Sequence, residues 1–273
     1  MTALTGKTRI NLLIGSPIAQ VLAPGWLTER MQNVGYDGLL VPIQILPERL
    51  DAALPELMAM PNVDSILVTL PHKFRASRHC AALSPRATIL GAINAMRRMP
   101  DGRWHGDNFD GAGMLAGLRN AGHDVEGKAV YVAGAGGAGS SIAVSMLEAG
   151  ASRLMLHDLD TAKENALLDL LERHYPGRVS GGSGDVTGFN VVINASYAGF
   201  NPADPLPIDP AGLVAGTVVA DVITDPVPTK LLREAAKLGC PTRDGTHMLE
   251  GQMQLLFEFM TGRPPESHEV GLT

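Results

Sequence analysis

Cysteine is nearly absent from this chain. Only Cys80 and Cys240 occur among its 273 residues, with no CxxC pair and no His/Cys cluster, so neither a disulfide framework nor a structural zinc site is expected. There is no run of lysine and arginine, and the net charge is −6 with a pI near 5.7. An acidic chain without a basic patch has no electrostatic footprint for nucleic acid or an anionic membrane, so neither is expected as a partner. No apolar run approaches the roughly 20 residues that cross a bilayer. The opening MTALTGKTRINLLIG lacks the long apolar core and small-residue cleavage site of a secretory signal. Internal repeats and low-complexity tracts are missing too. These absences leave a soluble, cytoplasmic, globular protein as the expectation. Its 45% hydrophobic and 18% charged residues suffice for one large or two ordinary domains.

What is present is alternation. RINLLIG reads as a strand, GWLTERMQNVG as a helix closed by Gly35, and YDGLLVPIQI as a second strand. LPERLDAALPELMAM follows as a helix and SILVTL as a third strand. Strands separated by helices predict parallel pairing with right-handed crossovers. Near residue 100 the texture changes. MRRMPDGRWHGDNFDGAG is polar and glycine-rich, and DGAGMLAGLRNAG begins a helix with Asp110 near its start, which places a domain junction there. A fresh series follows: KAVYVAG, SSIAVSMLEAG, RLMLHD, TAKENALLDLLERHY, NVVINAS and GTVVADVI. These read as the strands and helices of a doubly wound sheet. HMLEGQMQLLFEFMTG is an apolar-striped helix stopped by Gly262, with its methionines read as core filling.

VYVAGAGGAGSS sets Gly134, Gly136 and Gly139 in G-x-G-x-x-G spacing, directly after a strand and opening a helix. Such a loop supplies a tight turn, a close backbone approach to a pyrophosphate, and free N–H groups facing its charge. Gly134, Ala135, Gly136, Gly137 and Ala138 are the candidate contacts. The next strand ends in Asp158, about 20 residues on, where a ribose-binding acid is expected. A carboxylate there accepts from both ribose hydroxyls and repels a 2′-phosphate. Asp160 adds to the repulsion, and no arginine stands where a phosphate clamp would be wanted. NAD is therefore the expected cofactor, with NADP the second choice. The plainer readings are a glycine-rich turn without a ligand, and Asp158 as the cap of the next helix.

SILVTLPHK ends a buried strand at Pro71 and puts His72 and Lys73 at its mouth. A lysine partly stripped of water is a residue type suited to moving a proton. With this stretch, the sequence resembles the shikimate/quinate dehydrogenase family over nearly its whole length. IGSPIAQVLAP is similar to that family's N-terminal substrate loop, and VTLPHK to its catalytic-lysine motif. GAINA and GDNFDGAG resemble its Gly-Ala-Val-Asn-Thr and Asn-Thr-Asp segments. GAGGAG resembles its nucleotide loop, and INASYAG, DPVPTKLL and GTHMLEGQ its later blocks, all in the family's order.

The resemblance implies an α/β fold of two domains with the active site in the cleft between them. Residues 1–112 would form the substrate-binding catalytic domain, joined by C-terminal helices in 247–273, and residues 113–246 an NAD(P)-binding Rossmann domain with a doubly wound parallel sheet. It implies hydride transfer between a ring hydroxyl and a ketone, of the shikimate/3-dehydroshikimate type. Lys73 would be the acid/base and Asp110 its partner. Thr69, Asn94 and Gln252 would address the substrate. Ser196, Val222, Gly245 and Met248 would join the loop and Asp158 around the cofactor. His72 is read as structural. No metal is implied, the only expected partner is a small cyclic polyol or hydroxy acid, and the state is monomer or homodimer.

The departures cluster. The family's His-Ser-x-Ser-Pro, whose two hydroxyls bind the substrate carboxylate, is here Gln20-Val21-Leu22-Ala23-Pro24. The asparagine before Val-Thr is Leu67, and the tyrosine of the late Asp-x-x-Tyr block is Thr224. Burying a carboxylate against Val21 and Ala23 leaves its desolvation uncompensated, a penalty of about several kcal/mol. The Gln20 amide and Thr28 are the remaining candidate donors. Shikimate turnover is therefore expected to be weak, with another cyclic polyol or hydroxy acid as substrate. The alternative is a non-catalytic nucleotide-binding sensor or regulatory module, against which retention of Lys73 and Asp110 argues. A methylene-tetrahydrofolate dehydrogenase is disfavoured by the order Lys73, Asn94, Asp110.

Overall fold

Leu12, Leu13 and Ile14 are buried along Arg9–Gly15 (β1), the pattern of a strand covered on both faces. β1 pairs in parallel with Gly38–Gln44 (β2) and with Val63–Val68 (β3). Helices Ala23–Asn33 (α1) and Leu50–Ala59 (α2) lie in the two connections. The structure, a computed structural model, describes residues 4–19, 21, 23–201 and 203–262. These divide into two units, the first drawn from Met1–Phe109 and Met253–Thr273 and the second from Asp110–Gln252.

Beyond β3 the expected parallel pairing gives way. After Lys73–Ser77 (α3), Ala82–Leu83 (β4) and Pro85–Leu90 (α4), the strands Ala95–Arg98 (β5) and Trp104–Asp107 (β6) form a hairpin. β5 runs antiparallel to both β3 and β6, and the sheet order is β2-β1-β3-β5-β6-β4. The stretch read as a polar junction is thus largely sheet. Its turn has Pro100 in second place and Gly102 in fourth, with Gly102 N–H donating to the Met99 carbonyl at 2.8 Å and Gly102 at φ 82°. Proline presets the bend, and glycine tolerates the left-handed exit. Leu12, Ile14, Ile66, Val68, Ile93, Met96 and Trp104 fill the core of this unit.

The second unit opens with Asp110–Asn120 (α5). Then come Ala129–Ala133 (β7), Gly137–Glu148 (α6), Arg153–His157 (β8), Thr161–His174 (α7) and Val179–Gly181 (β9). Val191–Asn194 (β10), Val218–Asp221 (β11), Lys230–Lys237 (α8), Thr242–Arg243 (β12) and Gly245–Thr261 (α9) complete the series, α9 running on past Gln252. The sheet is parallel throughout, in the order β12-β11-β10-β7-β8-β9. This is the doubly wound Rossmann sheet. The chain builds outward from β7 on one side and then returns to β10 on the other, so the switch point lies at the carboxyl ends of β7 and β10.

Glycines on α5 bring its neighbours close. A Cβ at Gly111 would strike the Ser141 backbone of α6, one at Gly113 would lie 2.7 Å from Gln252 Cβ, and one at Gly117 would lie 2.6 Å from the His247 carbonyl. Both α6 and α9 therefore approach α5 nearer than a side chain would permit.

Candidate active site

The candidate residues fall in both units. In the first, β1 and β3 end side by side, and Gly15 is needed there because a Cβ would run into the Thr69 side chain. Thr69 N–H donates to the Ile14 carbonyl at 2.9 Å, and its own carbonyl accepts from His72 N–H at 3.1 Å. The half-buried Lys73 then opens α3, and its carbonyl accepts from Ile93 N–H at 3.1 Å. His72 is buried, with Nε2 at 2.7 Å from the Ile45 carbonyl beyond β2. Its ring is used to tie two loops together, as a structural histidine would be.

Asn94 precedes β5 and is buried. Its backbone pairs with Val68 and Asp107, and its Oδ1 accepts from Phe109 N–H at 2.9 Å. Asn94 therefore fixes the backbone on the residue before Asp110. The same turn is braced by groups that sequence reasoning missed. Arg86 forks onto Asp107 at 2.8 and 2.7 Å and lies over the Phe109 ring at 4.8 Å, while Ser84 also donates to Asp107. No local spacing announces a pair 21 residues apart.

Val21 is half-buried, and Ala23 is buried as the first residue of α1. Gln20 and Leu22 lie outside the described residues. Thr28 Oγ1 accepts from Leu40 N–H at 3.0 Å, which holds that hydroxyl beside β2. Leu67 is buried within β3.

In the second unit Asp110 begins α5, buried, and its Oδ1 accepts from Gln252 Nε2 at 2.7 Å. The α5–α9 approach makes that bond. The glycine loop lies at the switch point. Gly134 has φ 107°, and a Cβ on it would lie 2.8 Å from the Ala195 carbonyl, while one on Gly139 would hit the Gly134 carbonyl. At Gly136 and Gly137 a Cβ would meet nothing within 4 Å, so the face over the start of α6 is open. An open cradle of backbone N–H groups at a helix start fits a dinucleotide pyrophosphate.

Asp158 follows β8. Its Oδ2 accepts from Ala135 N–H of the glycine loop at 2.6 Å and its Oδ1 from Asp160 N–H at 2.8 Å. The cap of α7 is Asp160, which accepts from Ala162 and Lys163, so Asp158 is not spent on capping. Ser196 donates to Asn194 Oδ1 at 2.7 Å, and Val222 N–H donates to the Asn194 carbonyl at 3.0 Å. Gly245 sits against the Val222 carbonyl with no room for a Cβ. Ser196, Val222 and Gly245 are thus gathered at the ends of β10 and β11. Met248 lies on α9, with its backbone against Gly113 and Gly117 of α5. Thr224 is exposed.

Behind Ser196 and Val222, Asp221 is fully buried and accepts from Thr229 at 2.8 Å and Asn194 at 3.0 Å. Burial pushes its carboxyl above the ordinary range, beyond what those hydrogen bonds recover. Among the described residues no helix is long and apolar enough to cross a membrane, and no three metal-ligating side chains converge.

Comparison with known proteins bears on this arrangement. The model of the shikimate dehydrogenase substrate binding domain matches residues 13–96. A shikimate dehydrogenase (NADP(+)) of Rhodospirillum rubrum is 36% identical, covering 96% of this chain and 95% of that one. Shikimate 5-dehydrogenase of Listeria monocytogenes, solved with shikimate and NAD, superposes with a TM-score of 0.91 at 25% identity, over 97% of this chain and 96% of that one. The 5-ketofructose reductase of a Gluconobacter strain, solved without ligand, gives a TM-score of 0.88 at 29% identity, over 95% of each chain.

Proposed function

The chain belongs to the shikimate/quinate dehydrogenase family, and from that premise we propose an NAD-preferring dehydrogenase of a cyclic polyol or hydroxy acid that handles shikimate poorly. It is an oxidoreductase of the family's type, served by a nicotinamide cofactor. When bound, that cofactor supplies the acceptor or donor of the hydride. Lys73 takes the hydroxyl proton as the carbon loses its hydride and C–O becomes C=O, and returns it in the reverse direction. Asp110, anchored by Gln252, is the acidic member of the pair. Thr69, Asn94 and Gln252 address the substrate. The glycine loop with Asp158, Ser196, Val222, Gly245 and Met248 receives the cofactor.

One observation carries the substrate reading. The positions of the two hydroxyls the family offers a carboxylate are Val21 and Ala23 here, and that of its tyrosine is Thr224. A carboxylate gains charge-assisted hydrogen bonds from serine hydroxyls and finds none in the side chains of Val21 and Ala23. A protein of this fold named for 5-ketofructose, an uncharged keto sugar, supports widening the search beyond acids. NAD over NADP is supported by Asp158 and Asp160, by the pairing of Lys163 with Asp160 at 3.3 Å, and by the place of Arg153 at the opposite end of β8 from Asp158, over Phe189 at 4.6 Å.

The test is a panel of cyclic alcohols, keto sugars and hydroxy acids with each cofactor, followed at the reduced-nicotinamide band. Shikimate and quinate should show high KM. The triple variant Val21→Ser, Ala23→Ser, Thr224→Tyr should improve shikimate kcat/KM about tenfold or more, since charge-assisted bonds contribute roughly 1.5–3 kcal/mol each. The gain should lie mainly in KM, because a carboxylate remote from the reacting carbon is held alike in ground and transition states. A wild type that turns over shikimate at low KM would end the pocket reading.

A further inference from the structure

Glu164 stands in the first turn of α7, six residues beyond Asp158, and the functional assignments above leave it without a role. Its side chain is only 13% exposed. Oε2 accepts from Asp158 N–H at 2.8 Å and lies 3.2 Å from His157 Nδ1. Oε1 points toward β9, where a Cβ on Gly181 would come within 2.8 Å of it, so glycine there leaves the carboxylate room. Through Asp158 the chain of contacts continues to Ala135 N–H in the glycine loop. The acid assigned to the ribose thus has a second carboxylate bonded to its own backbone, and Leu159, the residue after it, is 92% exposed with no charge to offer.

We propose that Glu164 is a specificity-determining residue of the nucleotide site, a second fixed negative charge behind Asp158 that works against a 2′-phosphate. A backbone N–H and a neutral imidazole both bond to a carboxylate without cancelling its charge, and these are the Glu164 Oε2 partners when His157 is neutral. A largely buried carboxylate is also screened less by salt than an exposed one such as Asp160, which Lys163 already accompanies. A ribose with two hydroxyls brings no charge and meets no penalty. A phosphate at the 2′ position brings nearly two negative charges toward both carboxylates. Removing the Asp158 side chain would leave part of the discrimination in place.

The inference rests on the assignment of Asp158 to the ribose, and its test keeps the two apart. Dissociation constants of NAD and NADP are measured by titration calorimetry, without turnover, on the full chain as wild type, Glu164→Gln, Asp158→Ala and the double variant. Glutamine keeps the acceptor for Asp158 N–H and drops the charge. Glu164→Gln should leave NAD affinity nearly unchanged and tighten NADP by about threefold to tenfold, the range for one charge at this remove in a partly screened site. The double variant should bind NADP tighter than Asp158→Ala by a similar factor. A purely structural brace would move both cofactors together. Equal shifts, or none, overturn the proposal. Should Glu164→Gln fail to fold, Glu164→Thr is neutral and smaller, and the same ratio decides. A wild type that binds NADP more tightly than NAD would overturn the Asp158 reading, while the ratio between wild type and Glu164→Gln would still judge Glu164.

Discussion

Among single residues, Lys73 and Asp110 differ in how the fold treats them. Lys73 is half-buried at the start of α3, with its carbonyl bonded by Ile93 N–H. Asp110 is buried at the start of a helix, where backbone N–H groups and the helix dipole favour a negative charge, and Gln252 donates to it. The second unit therefore gives the carboxylate an anchor of its own in Gln252. Lys73→Ala should lower kcat by about 10²–10⁴, the range for general acid–base groups, with NAD affinity little changed. Asp110→Asn should cost activity of the same kind while thermal stability stays near wild type, since an amide can still bond Gln252. Near wild-type turnover by Lys73→Ala on the best substrate would remove the assignment. Gln252→Leu probes the anchor: it should lower kcat less than Asp110→Asn does, and calorimetry should find NAD binding intact.

Where helices meet, small residues set the distances. Gly113 faces α9, and a methyl there would lie 2.7 Å from Gln252 Cβ and 2.8 Å from the Met248 carbonyl. Gly113→Ala should therefore push α9 away, destabilise by about 1–3 kcal/mol as overpacking does, and loosen the Gln252–Asp110 bond. Urea unfolding and kcat are the measurements. A stable, fully active variant would mean that α9 can shift without consequence. This helix contact was not legible in the sequence, where GAGMLAG shows only a glycine-rich helix start. The centre of the Rossmann unit was legible, because β7, β10 and β11 are short apolar runs buried along their whole length and β8 runs straight into an acid, whereas the edge strands β9 and β12 are two or three partly exposed residues with no apolar run to announce them. The hairpin of β5 and β6 was not. Its strands are four residues each, carry Arg97, Arg98 and His105, and have too little alternation to stand out. The turn itself, Met-Pro-Asp-Gly, held the signal. Within the candidate site, the glycine loop and Asp158 stood out because G-x-G-x-x-G spacing and an acid at the end of the next strand are local patterns. Glu164, Arg86 and Asp107 could not be assigned, since their meaning lies in partners the fold brings to them.

For the molecule as a whole, the two units carry acids of opposite sign in their response to pH, one buried and one half-buried. In the second unit burial raises Asp221, so the folded state holds that proton more tightly and loses stability as pH climbs from the unfolded carboxylate value through the folded one. In the first unit Asp64 goes the other way. Burial pushes its carboxyl up, but the Arg9 fork and the Tyr36 hydroxyl at 2.9 Å outweigh it and hold it below the usual range. Its contribution is present above the unfolded value of about 3.9 and is lost as pH falls through the lower folded value. Both tryptophans, Trp26 and Trp104, belong to the first unit and none lies in Asp110–Gln252, so their fluorescence reports the unit that contains Asp64. Urea unfolding read by tryptophan should show wild type more stable than Asp64→Asn at pH 6 to 7. The difference should shrink steadily from about pH 4 downward, because the other carboxylates titrate alike in both proteins and cancel. Asparagine can still accept from Tyr36 and Arg9, so any constant offset between the two curves belongs to hydrogen bonding, and only the slope belongs to charge. A difference that stays flat from pH 7 to pH 3 would mean that Asp64 gains nothing from its ionisation in the folded unit.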